Sequence, residues 1–169
     1  MKRVTLYTDG ACFGNPGPGG YGAVLLYNNS RRELSGGYRR TTNNRMELMA
    51  VIKGLEALKE RCSVALYSDS KYVLDALSKG WARRWRANGW RLRKRGKPAV
   101  SPDLWGRLLD LCDGHEMSYN WVKGHAGNVE NERCDRLSNA AMARPDLPAD
   151  EAYERTERGP APSLFDPAP

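Results

Sequence analysis

Apolar and polar residues alternate from Arg3 to Thr8, with Val4, Leu6 and Thr8 on one side and Thr5 and Tyr7 on the other. That period of two marks a strand. A glycine–proline turn from Gly14 to Gly20 leads to a second strand, Tyr21 to Tyr27, and Asn28-Asn29-Ser30 turns the chain into a third near Glu33 to Arg40. Turns this short join antiparallel neighbours. The period then lengthens. Leu48, Ile52 and Leu55 recur at helical spacing, in a helix that Thr42 or Asn43 can cap and that runs to about Lys59. Ser63 to Tyr67 is dense in apolar residues and reads as a fourth strand. A strand, a long helix and another strand form a crossover, which makes those two strands parallel. Helices follow at Lys71–Lys79, Ala82–Arg86 and Asp103–Cys112, the last starting at Ser101 or Pro102, then a strand at Met117–Val122 and a helix at Val129–Ala143.

This order predicts an α/β fold: a mixed five-stranded sheet, three antiparallel strands and then two parallel ones, flanked by helices. Residues 1–143 form the one expected domain. The segment 144–169 holds six of the ten prolines and a surplus of acids with few apolar residues, so it reads as a disordered tail.

The 169 residues suit a single domain. No apolar run approaches the roughly 20 residues needed to cross a bilayer, so no membrane partner is expected. Met1 to Ala11 passes straight into a strand with no signal-peptide core, which makes the cytoplasm the expected location. Cys12, Cys62, Cys112 and Cys134 form no C-x-x-C pair and are expected as reduced thiols. A monomer with no obligate protein partner is the expectation.

Charge changes the picture. The net charge of +7 is concentrated between Trp81 and Lys97, where Arg83, Arg84, Arg86, Arg91, Arg93, Lys94, Arg95 and Lys97 occur with no acid. The rest of the chain is close to neutral. One intensely basic segment points to a polyanion, nucleic acid first. Trp81, Trp85 and Trp90 are interleaved with these cations. Packing of the rings is the bland reading; basic residues beside aromatics favour contact with a phosphate backbone and with sugars or bases.

The candidate chemistry is acidic. Asp9 lies in YTDGAC, Glu47 in TTNNRMEL, Asp69 in LYSDSKY and Asp135 in NERCDRL. Each has an ordinary explanation alone: a turn, a helix dipole, an N-cap, a solvated helix face. Three of them, however, fall at strand ends or helix starts, which an α/β sheet brings together at its mouth. Four carboxylates gathered there would repel one another without a cation. All-oxygen ligation suits Mg²⁺ or Mn²⁺ rather than zinc, and the commonest chemistry of such a site is phosphoryl or phosphodiester transfer. His125 sits in a Gly-His-Ala-Gly loop, where it can shuttle protons. Cys12 follows Asp9 by three residues and either lines the site or fills a small buried space. The glycine-rich stretch from Gly10 to Gly22 lacks the Gly-Lys-Ser/Thr ending of a phosphate loop and joins strand to strand.

The stretches YTDGACFGNPGPGG, TTNNRMELMA, YSDSKYV, the basic W-x-x-x-W-x-x-x-x-W insert, DLW at Asp103 and WVKGHAGNVENERCDRL span about residues 3 to 143. In these the chain resembles type 1 ribonuclease H, especially the bacterial single-domain enzymes. The resemblance implies the ribonuclease H fold, a catalytic domain at 1–143 and endonucleolytic cleavage of the RNA strand of an RNA–DNA hybrid. It implies Asp9, Glu47, Asp69 and Asp135 as metal ligands and His125 in proton transfer or product release. It also implies two Mg²⁺ ions, with Mn²⁺ a possible substitute, and products ending in 5′-phosphate and 3′-hydroxyl.

For the substrate, it implies contacts from the backbone at Cys12 and from Asn15, Thr42, Asn43, Asn44, Arg45 and Lys71. It makes 81–97 a basic protrusion that grips the DNA strand through Trp81, Trp85, Trp90, Arg91, Arg93, Lys94 and Arg95. The wide minor groove of an A-like hybrid exposes 2′-hydroxyls that amide side chains can read. Two departures stand out. Lys71 occupies a position where bacterial relatives often carry glutamine, and lysine cannot accept a hydrogen bond. Ser101-Pro102 replaces a more usual asparagine and non-proline residue. Two rivals stay open: a DNA-cutting polynucleotidyl transferase of the same fold, disfavoured by the asparagines and basic insert, and a hybrid-binding module without catalysis, disfavoured by the complete acid set.

Overall fold

Val4, Leu6 and Thr8 are all buried on β1 (Lys2–Cys12), the central strand of the sheet. The structure, a computed structural model, describes residues 1–159. β1 pairs antiparallel with β2 (Gly17–Tyr27), with Leu6 opposite Leu25, and β2 pairs antiparallel with β3 (Ser30–Thr41). On its other side β1 runs parallel to β4 (Cys62–Ser68), with Leu6 opposite Leu66, and β4 runs parallel to β5 (Glu116–Trp121). The strand order is β3-β2-β1-β4-β5, the expected mixed sheet of five.

Helix α1 (Asn43–Glu56) makes the crossover from β3 to β4. It starts at Thr42, whose hydroxyl accepts from the Arg45 N–H at 3.2 Å. Its Leu48, Ile52 and Leu55 are almost wholly buried over β1. Next to it stands α4 (Pro102–Asp113), bringing the fully buried Trp105. Two short helices, α2 (Lys71–Ser78) and α3 (Trp81–Ala87), complete this layer. Helix α5 (Val129–Met142) covers the opposite face across β2, β1 and β3, resting directly on the backbone at Gly20 and Gly22. All four cysteines are free thiols, and no described helix is long and apolar enough to cross a membrane.

The expected tail is corrected by the structure. Residues 144–159 fold back as a strap ending in α6 (Glu151–Arg158). The Arg39 N–H bonds the Pro148 carbonyl at 2.8 Å, and Asp150 is buried. α6 buries none of its own residues, so nothing in its apolar pattern announces it. Long-range ion pairs to β3 hold it instead: Arg39 to Glu154 and Arg40 to Glu157. The remainder of that expected tail, 160–169, lies outside the described residues.

Candidate active site

Asp9 sits on β1 where its neighbour is glycine for a reason. A Cβ on Gly10 would lie 2.5 Å from the Glu47 backbone nitrogen and 2.6 Å from the Met46 carbonyl carbon. Only glycine lets α1 approach β1 this closely, and that approach sets Glu47 beside Asp9. Asp69 follows the end of β4, parallel to β1, so both side chains emerge at the same end of the sheet. The cap of α2 is Ser70, whose hydroxyl accepts from the Val73 N–H at 3.3 Å. Asp69 is thereby free of capping duty.

One carboxylate oxygen from each of Asp9, Glu47 and Asp69 lies within 4.8 Å of the other two. Asp9 and Glu47 are buried, 5% and 6% exposed. The Gly10 N–H donates to Asp9 Oδ1 at 2.9 Å, whereas Glu47 Oε2 is buried with no partner. Burial, and then the Asp69 charge, push the Asp9 carboxyl up to about 7. Burial followed by the charges of Asp9 and Asp69 raises Glu47 well above the usual carboxylate range. Three acids crowded this way, one oxygen orphaned, fit a hard divalent cation better than they fit one another. Asp135, on α5 and half-exposed, stands outside that triplet but near enough for its charge to raise Asp9. Asn139 holds it, donating to Asp135 Oδ1 at 3.1 Å.

His125 lies in the 122–128 loop joining β5 to α5 and is exposed. Its φ of 55° is left-handed, a sparse region for a non-glycine residue. The loop passes close to the acids, for a Cβ on Gly124 would come within 2.8 Å of Asp69 Oδ2.

The RNase H family model matches residues 1–143. The chain belongs to the RNase H family. Its activity is endonucleolytic hydrolysis of the RNA strand of an RNA–DNA hybrid. The chain is similar to a Ribonuclease H of Desulforamulus reducens, 63% identical over 150 residues, which are 89% of this chain and 94% of that one. It is 65% identical over 153 residues to a Ribonuclease H of Syntrophus aciditrophicus, covering 90% and 88% of the two chains. The crystal structure of LC9-RNase H1, described as a type 1 RNase H with the type 2 active-site motif, superposes with a TM-score of 0.75. That protein is 33% identical, over 84% of this chain and 72% of its own.

For an RNase H substrate, the contacts expected from sequence divide into offered and withheld groups. Asn44 and Lys71 are exposed. Asn15 Oδ1 accepts from the Asn43 N–H at 2.9 Å, which ties the glycine–proline turn to the start of α1. Lys71 Nζ lies 4.5 Å from the centre of the exposed Trp121 ring, a cation–π pair at the rim of the site. The Cys12 thiol turns inward, 3.4 Å from the Thr41 carbonyl oxygen.

Arg45 is corrected: it is not presented to a substrate. It is 4% exposed and forks onto two acids, at 2.9 and 2.8 Å to Asp103 and at 2.7 and 3.0 Å to Asp150. Trp85 is corrected too. It is 9% exposed and packs edge-on against Trp105 with centroids 5.6 Å apart. Trp81 and Trp90 are partly buried against the same core, Trp90 close over Gly106. The tryptophans thus form the stem of the protrusion. Its cations ride on a small hairpin in which Arg91 bridges Pro98 and the Gly96 N–H bonds the Arg93 carbonyl at 2.9 Å. Arg91, Arg93, Lys94, Arg95 and Lys97 are exposed, and none has an acid partner among the described residues.

Sequence reasoning missed Asn131. It is 3% exposed and its amide donates to Asp69 Oδ2 at 3.5 Å. An asparagine among glutamates and arginines reads as a solvated helix face, and only the placement of α5 turns it inward. Asp103 was legible as part of the DLW stretch, but its pairing with Arg45 was not.

Proposed function

We propose that hydrolysis takes place at Asp9, Glu47 and Asp69, with Asp135 completing the ligand set for divalent cations. Mg²⁺ is the cation proposed, with Mn²⁺ able to replace it, and two ions are proposed to act together. The carrying observation is Glu47: a buried carboxylate with one unpartnered oxygen, pressed between two further acids. The donor set is oxygen only, which suits these hard cations and not zinc. When bound, the cations supply Lewis acidity that activates the attacking water and stabilises the leaving 3′ oxygen.

The chain's own groups do the rest. Asp9, Glu47 and Asp69 hold their carboxylate oxygens fixed at one end of the sheet, where they give up their protons to bound cations, so that the scissile phosphate is drawn in only with its counter-ions. Asn131 keeps Asp69 turned toward that point. His125, on its exposed loop beside Asp69, moves a proton to or from the reacting oxygens or helps the product leave. Asn15, Thr42, Asn43 and Asn44 line the start of α1, one turn from Glu47, where amides can read the 2′-hydroxyls of the RNA strand. The hairpin cations Arg91, Arg93, Lys94 and Arg95 hold the phosphates of the DNA strand. The protein is proposed to act as a monomer in the cytoplasm.

The test is incubation with an end-labelled RNA–DNA hybrid, with and without Mg²⁺. The expected outcome is internal cuts in the RNA strand only, with 5′-phosphate ends, abolished by EDTA. Cleavage that persists in EDTA would remove the carboxylates from their proposed role.

A further inference from the structure

The strap from Arg144 to Arg158 lies outside the region that the family model matches, yet it sits against the start of α1. Its anchor is Asp150. That carboxylate is buried, caps α6 through the Tyr153 N–H, and accepts from Thr41 Oγ1 at 2.7 Å and from Arg45. Removing such a partner would leave Arg45 buried with its charge half-compensated, so this end of the strap is fixed.

Beyond the anchor the strap has a different character. α6 buries no residue of its own and meets the body through two forked, charge-assisted pairs. Arg39 donates twice to Glu154, at 3.0 and 3.0 Å, and Arg40 twice to Glu157, at 2.7 and 2.9 Å. Those two arginines come immediately before Thr41 and Thr42, which lead into Asn43 and Asn44. A cleft of about 410 Å³ opens between Thr42, Ser101 and Pro102 on the body and Tyr153 and Thr156 on the strap.

A bidentate arginine–carboxylate fork has the geometry of an arginine–phosphate fork. Both arginines are exposed, while Glu154 is half-buried and Glu157 is at the surface. Pairs with one solvated partner are weak and screened by salt, and a helix that fully buries no residue belongs to the less stable part of a fold. We propose that the strap is an internal stand-in for nucleic-acid phosphate. Glu154 and Glu157 occupy Arg39 and Arg40 in the free protein and release them to the phosphates of a bound hybrid, while Asp150 stays in place as the hinge. The idea rests on the hybrid being the substrate. The strap sets the affinity for polyanion without touching the reacting atoms. A helix that merely covered the edge strand β3 against pairing with another chain would have no need of forks to both arginines.

The test is the double variant Glu154→Gln/Glu157→Gln, compared with the unaltered protein in initial-rate measurements on labelled hybrid over a range of salt. The expected result is a KM lowered about threefold or more at low salt, with kcat unchanged. The plot of log KM against log salt also steepens, because the unaltered protein must break two ion pairs that salt itself weakens. The advantage of the variant is therefore greatest at low salt and fades as salt rises. If the neutralised helix detaches altogether, Arg39 and Arg40 are freed just the same and the expectation stands. A second measurement reads the motion directly: amide hydrogen exchange over 151–158 quickens when hybrid is added in metal-free buffer. Unchanged KM and slope would overturn the proposal, as would slower exchange over 151–158, which would make the strap a clamp on the substrate. Failure of the unaltered protein to cut hybrid would fall on the proposed function instead, because exchange reads binding without hydrolysis.

Discussion

The acid cluster and the basic hairpin carry opposite charges on opposite terms. Asp9 and Glu47 are buried and rigidly placed by a strand, a helix and a glycine contact, and their charges are uncomfortable: one oxygen unpartnered, both carboxyls pushed upward. Arg93, Lys94 and Arg95 ride on an exposed turn, with the packing done below them by Trp85, Trp105 and Trp90. Buried charge gains geometric precision by giving up stability, which suits chemistry at one phosphorus atom. Exposed charge keeps its solvation and gives up precision, which suits a grip on any phosphate backbone. The strap lies between these extremes, its Asp150 buried, its Glu154 half-buried and its Glu157 at the surface.

The sharpest way to break the comparison is Asp9→Asn. A neutral amide is a poor ligand for a hard cation, and losing several kcal/mol of transition-state stabilisation costs on the order of 10³-fold or more in rate. The same change removes a charge from a crowded, buried site. Metal-free Asp9→Asn is therefore expected to melt higher than the metal-free parent while cleaving almost nothing. Hybrid cleavage assays paired with thermal melts in EDTA check both halves. An inactive variant that also melts lower would show that Asp9 serves the fold, and that the strain attributed to the cluster is absent.

The stem and tip of the protrusion should separate next. Trp85→Ala empties a core position and is expected to cost about 3–5 kcal/mol of stability. Arg91→Gln/Arg93→Gln/Arg95→Gln gives up only one exposed bond, from Arg91 to the Gly96 carbonyl at 3.1 Å, and should change the melting temperature little. It should weaken hybrid binding and lower the salt slope by up to about three. Denaturant titration and binding at several salt concentrations measure the two effects independently. A triple variant with an unchanged slope would take the hairpin off the list of substrate contacts.

What the sequence made legible follows the same division. The sheet order could be read because its evidence is local: alternation in β1, short turns on either side of β2, and one long amphipathic helix that forces β4 parallel. Asp9, Glu47 and Asp69 could be read because each marks the end of a strand or the first turns of a helix. Arg45 misled. A cation beside Asn43 and Asn44 looks available until Asp103 and Asp150, each more than fifty residues away, close over it. Trp85 misled in the same way, since its neighbours in sequence are cations but its neighbours in space are Tyr72 and Trp105. α6 was invisible because composition reports the absence of an apolar face and says nothing of arginines waiting on another strand.

The smallest expected effect tests the discomfort of the cluster itself. The Asp9 carboxyl rises from its ordinary 3.8 to about 7 in the folded protein. The folded state therefore binds that proton more tightly than the unfolded state does. Between roughly pH 4 and pH 7 the folded form carries the extra proton, and each step upward in pH favours unfolding. Stability contributed by the protonated carboxyl is complete below the unfolded value and lost as pH climbs through the folded one. In EDTA the melting temperature should accordingly fall by a few degrees from pH 5 to pH 8. Saturating Mg²⁺ should abolish the fall, because a cation bound only by the folded state replaces the proton. The stabilisation by Mg²⁺ is then larger at pH 8 than at pH 5, and Asp9→Asn reduces both trends, leaving the part that the buried Glu47 contributes. Melts that show Mg²⁺ stabilising the protein equally at the two pH values would mean that the cation and the Asp9 proton do not compete, and that the buried acids are not where it binds.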